Sequence, residues 1–388
     1  AVPATCPGSQ HLDATLFLIG DGGAPADAEQ PPGATREGPL REPVLQALAV
    51  AGAERVARLG AERVALALLG DDVYPSGIPA ADDPTRPRAE RRLGAQLEAA
   101  RRAGLRLFVL PGNHDWDEDA PDGTERVLRL GRLVAASGIP DAAEVPPGGC
   151  PGPVRAELGA HLELLFLDTE WWLRSAPRPG PTACTPGDPD GVVASLAADL
   201  AASRGRHVVV MAHHPLETGG PHGVNFDWLD HLFPLRALDP ALWIPLPILG
   251  SAYPLARELG VSEQDFPNHR YRRLRAALAR AFAHAPPLVY AAGHDHGLQV
   301  IRGGPAPWLV VSGGGATREI TFVRRIAGML YGRARSGYAR LDAFDDGGVA
   351  LAVVETPLHA PPHLAFEACL TAPAPPGIDG GADGGGGR

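Results

Sequence analysis

The 388-residue chain contains no lysine, so all 35 of its fixed cations are arginines. A P-loop lysine, a Schiff-base lysine and a Ser–Lys dyad are therefore outside its chemistry. It also lacks any run of about 18 uninterrupted apolar residues, which predicts no transmembrane helix. Positive charge is not in excess. The formal net charge of −10 and a pI of about 5.8 argue against a general affinity for nucleic acid. Cysteines number only four, Cys6, Cys150, Cys184 and Cys369, and none forms a C-x-x-C pair. Their flanks, Pro7, Pro151 and Pro186, are loop-like, a poor setting for zinc. Two readings stand. The cysteines are free thiols, or they form two disulfides in an oxidising compartment, Cys6–Cys369 joining the termini and Cys150–Cys184 closing a Pro/Gly-rich loop. Thr5, before Cys6, does not suit the cleavage site of a lipid anchor. A start at Ala1 rather than Met is that of a trimmed mature protein. The expectation is an exported chain, periplasmic, secreted or at the cell surface, with its signal peptide already removed.

What is present is an ordinary globular composition, 45% hydrophobic and 21% charged, enough for one large domain or two small ones. Abundant Ala, Gly, Pro and Arg suggests a GC-rich genome rather than a function. The first third alternates between apolar runs and helical spacing: strand 15–19, helix 43–59, strand 64–69, helix 88–103, strand 105–110. Such alternation predicts parallel strands with crossover helices. Residues 24–39 read as irregular, and 123–136 as a helix. Beyond a loop at 140–153, residues 154–158 and 162–167 read as a β-hairpin. Then come a proline-rich loop at 175–189, a helix at 192–203 and a strand at 207–211. A helix at 271–284 and strands at 288–291 and 308–311 follow. A final hairpin, 338–344 with 349–354, turns at Asp345-Asp346-Gly347-Gly348. Residues 224–269 form an insertion whose stretch 242–249 is too proline-rich for a core helix. It is either a flap packed on the domain or an apolar lip that shapes substrate access or touches a membrane through 241–255. The tail from Ala372 is Pro/Gly-rich and expected to be disordered.

Five apolar runs end in Asp, Asn or His. They deliver Gly20-Asp21-Gly22-Gly23, Gly70-Asp71-Asp72-Val73-Tyr74, Gly112-Asn113-His114-Asp115, His213-His214-Pro215 and Gly293-His294-Asp295-His296. A strand followed at once by such residues places them at the C-terminal edge of a sheet, where open α/β folds bind ligands. Carboxylate and imidazole together suit Fe, Mn or Zn, whereas Mg or Ca would favour oxygen alone. The five stretches read as one polynuclear metal site.

Their order, Gly-Asp-x-Gly, Gly-Asp-x-x-Tyr, Gly-Asn-His-Asp, His-x-Pro and Gly-His-x-His, resembles the calcineurin-like metallophosphoesterases over residues 12–356. Within them it resembles the purple acid phosphatase branch, because Gly23 stands where most of the superfamily carries a His, and Tyr74 lies three residues after Asp71. The fuller pattern, with Asp168-Thr169-Glu170-Trp171-Trp172, is similar to bacterial exported metallophosphoesterases. The resemblance implies an α/β four-layer sandwich, two mixed β-sheets flanked by helices. Residues 1–11 are then an N-terminal extension, 12–356 the catalytic domain with 224–269 inserted, and 357–388 a C-terminal extension. It implies two metal ions. Asp21, Asp71, Tyr74 and His296 would hold Fe(III), since a phenolate is a hard anionic donor that a cation can deprotonate. Asp71, Asn113, His213 and His294 would hold Zn, Mn or Fe(II), with Asp71 bridging. His214 would be structural or stand behind the ligands, as would the carboxylates Asp115 and Asp168, with Asp168 fixing backbone at a strand end.

The implied activity is hydrolysis of phosphoric esters by a metal-activated hydroxide, with His114 or His222 as general acid or phosphate-orienting group. An acid-phosphatase-like phosphomonoesterase is the first expectation. A phosphodiesterase or lipid-phosphate hydrolase is the alternative, and a non-catalytic metal- or phosphate-binding surface module the last. The substrate would be a phosphorylated small molecule or lipid.

Overall fold

The computed structural model describes residues 6, 11–29, 40–203, 205–237 and 242–371. The disorder expected from Ala372 onward lies outside them. The chain first lays down β1 (Leu12–Ile19), β2 (Val64–Leu68), β3 (Arg106–Val109) and β4 (Ala143–Glu144). Seven more strands follow: β5 (Val154–Leu158), β6 (Leu162–Phe166), β7 (His207–Met211), β8 (Val289–Ala292), β9 (Leu298–Arg302), β10 (Trp308–Ser312) and β11 (Met329–Arg333). Finally β12 (Gly337–Phe344), β13 (Val349–Glu355) and β14 (His363–Cys369) return to the starting layer. One seven-stranded sheet has the order β14-β13-β12-β1-β2-β3-β4, the other β11-β9-β10-β8-β7-β6-β5. β1 to β4 are parallel, as are β6, β7, β8 and β10, while hairpin partners make both sheets mixed.

The two sheets face each other with helices outside, the four-layer sandwich that the resemblance implies. Alternation along β1 shows why. Leu16 and Leu18 point inward and pack with Ala67, Phe166, Met211 and Val310 from both sheets. Phe17 and Ile19 point outward, against Leu45 and Leu48 of α1 (Pro43–Leu59) and Leu93 of α2 (Arg86–Ala103). Because both faces are buried, the strands read as unbroken apolar runs. Each fully buried Leu or Phe contributes about 1.5–3 kcal/mol. α3 (Gly123–Ala135) adds Leu130 and Val134 to that outer layer. A one-turn α4 (Glu170–Leu173) follows β6, and α5 (Pro189–Ala202) covers the outer face of the second sheet.

Helix starts differ from the expected ones for local reasons. α5 begins at Pro189 rather than 192 because Asp188 accepts the Gly191 N–H at 2.9 Å and Pro suits the first turn. The insertion carries α6 (Trp228–Leu232) and α7 (Ala252–Glu258), and 242–248 is neither helix nor strand. α8 (His269–Phe282) then starts two residues early, behind Asn268, which accepts from the Arg270 N–H at 2.9 Å. β4, within the stretch 140–153 read as loop, and β9, β11 and β14 were not expected, and β14 extends the first sheet beyond residue 356.

Both disulfides form, so the free-thiol reading falls. Cys6–Cys369 ties the start of the chain to the end of β14, and Cys150–Cys184 joins the loop before β5 to the loop after α4. Among the described residues no helix is long and apolar enough to cross a membrane.

Candidate metal centre

The parallel strands of both sheets end at one side of the sandwich, and the approach there is close. A side chain on Gly20 would meet the Cα of Gly293 at 2.8 Å. Gly20 N–H donates across the sheets to Ser312 O at 2.7 Å. The turns leaving β1, β2 and β8 hold Asp21, Asp71 and His294 at φ of 60°, 57° and 70°. Non-glycine residues seldom adopt this left-handed region, and such strain collects at functional sites.

Four donor atoms gather on one side of Asp71. Tyr74 Oη lies 3.2 Å from Asp21 Oδ1, 3.2 Å from Asp71 Oδ2 and 2.9 Å from His296 Nε2. His296 Nε2 is 3.3 Å from Asp21 Oδ1. A second group lies on the other side. His213 Nε2 is 2.9 Å from Asn113 Oδ1, 3.2 Å from His294 Nδ1 and 3.5 Å from Asp71 Oδ1. His294 Nδ1 is 3.2 Å from Asn113 Oδ1. Asp71 thus offers one oxygen to each group. Spacings of about 3 Å are those of donors sharing one ion with bonds near 2.1 Å. The donor chemistry fits cations as well. Three oxygen acids, Asp21, Asp71 and Tyr74, crowd together out of water. Burial first, then the Asp71 and Asp21 carboxylates, push the Tyr74 phenol well above its usual range. A cation would reverse that sign.

The remaining nitrogens are fixed by main-chain carbonyls. His213 Nδ1 bonds Leu69 O at 2.8 Å, His294 Nε2 bonds Gln264 O at 3.0 Å, and His296 Nδ1 bonds Glu319 O. Each leaves the other ring nitrogen for the donor group, as ligating histidines require. His214 points elsewhere. Its Nδ1 meets Thr169 Oγ1 and its Nε2 meets Gln264 Oε1, both at 2.8 Å, so neither nitrogen is available. Asp115 accepts from Gly112, Asp72 and Val73 N–H groups at 2.9, 3.1 and 3.0 Å and so joins two donor loops. Burial, with Asp71 next, pushes its acid up to about 7. Asp168 accepts from Trp171 N–H and Trp116 Nε1–H, fixing the backbone after β6. Asp72 is buried, and among the described residues both its carboxylate oxygens are unpartnered. Burial, and then Asp115, Asp71 and Asp21, hold it well above the carboxylate range.

At Gly23 an added Cβ would sit 2.6 Å from both Asp71 O and Val73 N, so no side chain fits there. Tyr74 N–H donates to Gly23 O at 3.2 Å across the same contact.

The two expected acids flank opposite groups. His114 is edge-on to Tyr74, its Nδ1 2.6 Å from Pro75 O, and its main-chain N–H donates to Asp71 Oδ1 at 2.9 Å. His222 stacks on His294 with ring centroids 3.9 Å apart. Sequence reasoning did not single out Gln264, Asp265 or Arg257, all from the insertion. Gln264 touches His214 and His294, while Asp265 bonds His222 at 2.9 Å. No motif spacing marks them.

No family model and no curated protein matches the chain. Solved structures do. It is similar to GAP50, the anchor in the inner membrane complex of Plasmodium, with 14% identity, 91% of this chain and 88% of that one covered, and a TM-score of 0.53. PhoD aligns with 14% identity over 94% of this chain and 70% of that one, TM-score 0.50. Purple acid phosphatase PPD1 of yellow lupin (Lupinus luteus) aligns at 12% identity over 93% of this chain but 54% of its own length, TM-score 0.48. At these identities the likeness to GAP50 and PhoD is one of fold.

Proposed function

We propose that this chain, built on the metallophosphoesterase fold, is a phosphoric-ester hydrolase working with two metal ions, and within that class a purple-acid-phosphatase-like phosphomonoesterase. The observation that carries the reading is Asp71, whose two oxygens face two separate donor groups. In this reading Asp21, Asp71, Tyr74 and His296 hold one ion, and Asp71, Asn113, His213 and His294 hold the other. The anionic first set suits Fe(III), and the second suits Zn, Mn or Fe(II). When bound, such ions supply Lewis acidity and a water acidified to serve as nucleophile. The chain's own groups do the remaining work. Leu69 O, Gln264 O and Glu319 O hold the three ligand imidazoles in one tautomer each. His114 and His222, at the two sides of the site, orient the phosphoryl group and hold the proton for the leaving oxygen. Two disulfides support export.

The test is metal analysis of purified protein together with rates on p-nitrophenyl phosphate and its bis-ester. Faster hydrolysis of the monoester is expected. Near-equal rates, or a preference for the diester, would sink the monoesterase reading. One observation favours a second substrate class, a lipid phosphate, with membrane contact through 241–255. Trp243 is 54% exposed, Ile248 91% and Leu249 76%, apolar side chains open to water on the insertion whose Gln264 reaches the site. A long-chain phosphate monoester turned over no better than a short one would remove it. Undetectable turnover of any ester by protein loaded with iron and zinc would leave a binding module, the kind of role that GAP50's description as an anchor suggests for that protein.

A further inference from the structure

We propose that Asp265, clamped by Arg257, is a positioning residue that fixes the His222 ring against the second donor group, making the 224–269 insertion part of the catalytic apparatus rather than a flap beside it. What His222 then does rests on the phosphoesterase reading, whereas the clamp itself does not.

The contacts around His222 leave it little freedom. Its Nδ1 lies 2.9 Å from Asp265 Oδ1 and 3.1 Å from Gln264 O. Its main-chain N–H donates to Asp295 Oδ1 at 3.2 Å, and its carbonyl accepts the Phe266 N–H at 3.0 Å. One face of the ring stacks on His294. The tautomer follows from counting donors and acceptors. Two oxygen acceptors face Nδ1, and so does one donor, Arg257 Nη2 at 3.1 Å, which is already engaged with Asp265 Oδ1; the acceptors outnumber it, and we assign the proton to Nδ1. Among the described residues Nε2 bonds to none, so in the imidazolium form its N–H is the donor free to meet an oxygen of the ester.

Asp265 could not serve in this way without its own partner. Its carboxylate is fully buried, and a buried unpaired charge is costly. Arg257 Nε donates to Asp265 Oδ2 at 2.7 Å and its Nη2 to Asp265 Oδ1. This two-pronged geometry fixes the carboxylate plane as well as its charge. Although burial acts to raise it, Arg257 and His222 hold the Asp265 acid below the usual carboxylate range. The adjacent Gln264 extends the fastening. Its carbonyl accepts from His294, its side-chain oxygen meets His214 Nε2, and its amide donates to Glu170 Oε2 at 3.0 Å. Gln264 and Asp265 thus join the insertion to three histidines and to the Glu170 of the stretch after β6. A flap that merely shielded the site would need none of these bonds.

The experiment is a double-mutant cycle on metal-loaded protein, with kcat and KM for p-nitrophenyl phosphate. Asp265→Ala is expected to lower kcat about 10–100-fold, the scale for a residue supporting an active group, with KM little changed. Arg257→Met should follow in the same direction. Asp265→Asn, which keeps an oxygen acceptor, should retain more activity than Asp265→Ala. If Asp265 acts through His222, the Asp265→Ala/His222→Ala double variant is no slower than His222→Ala alone. Multiplicative losses, or an unchanged kcat in Asp265→Ala, would overturn the proposal. A second measurement needs neither turnover nor a variant that folds: the side-chain 15N shifts of His222 in the wild-type protein in mildly alkaline buffer. They should show the proton on Nδ1, and a proton on Nε2 refutes the clamp. An Nδ1 proton in a protein that hydrolyses no ester would defeat the phosphoesterase reading and leave the clamp standing.

Discussion

The two donor groups share Asp71 and little else. The first brings Asp21 and the Tyr74 phenol to a single imidazole, His296, so its donors are mostly oxygens. The second brings two imidazoles and an amide oxygen, His213, His294 and Asn113. Their supports differ too. The first is held by turns after β1, β2 and β8 and by Glu319 O. The second depends also on the insertion, through Gln264 O on His294. In the proposed reading one carboxylate therefore serves both ions, and the contrast between them resides in the unshared donors. The insertion has leverage on only one of them.

Removing the shared donor gives the largest expected effect. Asp71→Asn tolerates the left-handed backbone but should lose more than about 10³-fold in activity, as losing a member of a catalytic unit does, with both ions depleted by metal analysis. Retention of one full ion would break the picture of a shared carboxylate. Next, His213→Ala should deplete the second ion alone, with a loss beyond the about 10–100-fold usual for outer contacts. Equal depletion of both ions would show that the groups are not separable. Tyr74→Phe should cost about 10–100-fold, a scale we borrow from supporting-residue substitutions, and abolish a visible charge-transfer band of the oxidised, iron-loaded protein. A surviving band would assign the colour to another ligand.

Smaller effects mark the limits of the comparison. Reducing the disulfides should lower stability by about 2–4 kcal/mol for each bridge in denaturant unfolding, leaving metal content unchanged in folded protein. Glu144, at the end of β4, offers no atom to either group. Burial pushes its acid up to about 7 from the ordinary 4.5. The folded state therefore favours the proton. Its contribution is fully present below the unfolded value and is lost as pH rises through about 7. Glu144→Gln should flatten that part of a stability–pH curve by about 1–3 kcal/mol without altering metal content. An unchanged curve would remove Glu144 as its source.

Every donor atom in the two groups comes from a motif visible in the sequence, because each lies within a few residues of a strand end. The core strands were legible for the same reason, as short apolar runs between turns. What escaped depends on distant contacts. β14 has exposed His363 and Leu364 and becomes a strand by pairing with β13. Gln264 and Asp265 are 50 and 43 residues from the histidines they touch, as the His214 and His222 bonds record. No local spacing encodes such a meeting. The positive φ of Asp21, Asp71 and His294 was equally hidden, since each motif advertises its glycine and not the strained residue after it.

Gly23 has a consequence for how such a site could change over evolutionary time. Its backbone runs so close to that of residues 71–73 that the first β-carbon of any other residue collides with main chain, which cannot move aside as a side chain can. A mutation installing histidine there would not offer an intermediate with both ligands, or a gradual exchange of one for the other. The imidazole would require the two loops to separate, and separating them withdraws the Gly23 carbonyl that receives the Tyr74 amide. The two ligand sets thus lie in different backbone valleys with no single-residue step between them. The tyrosine is retained by the spacing of two loops before it is retained by any metal.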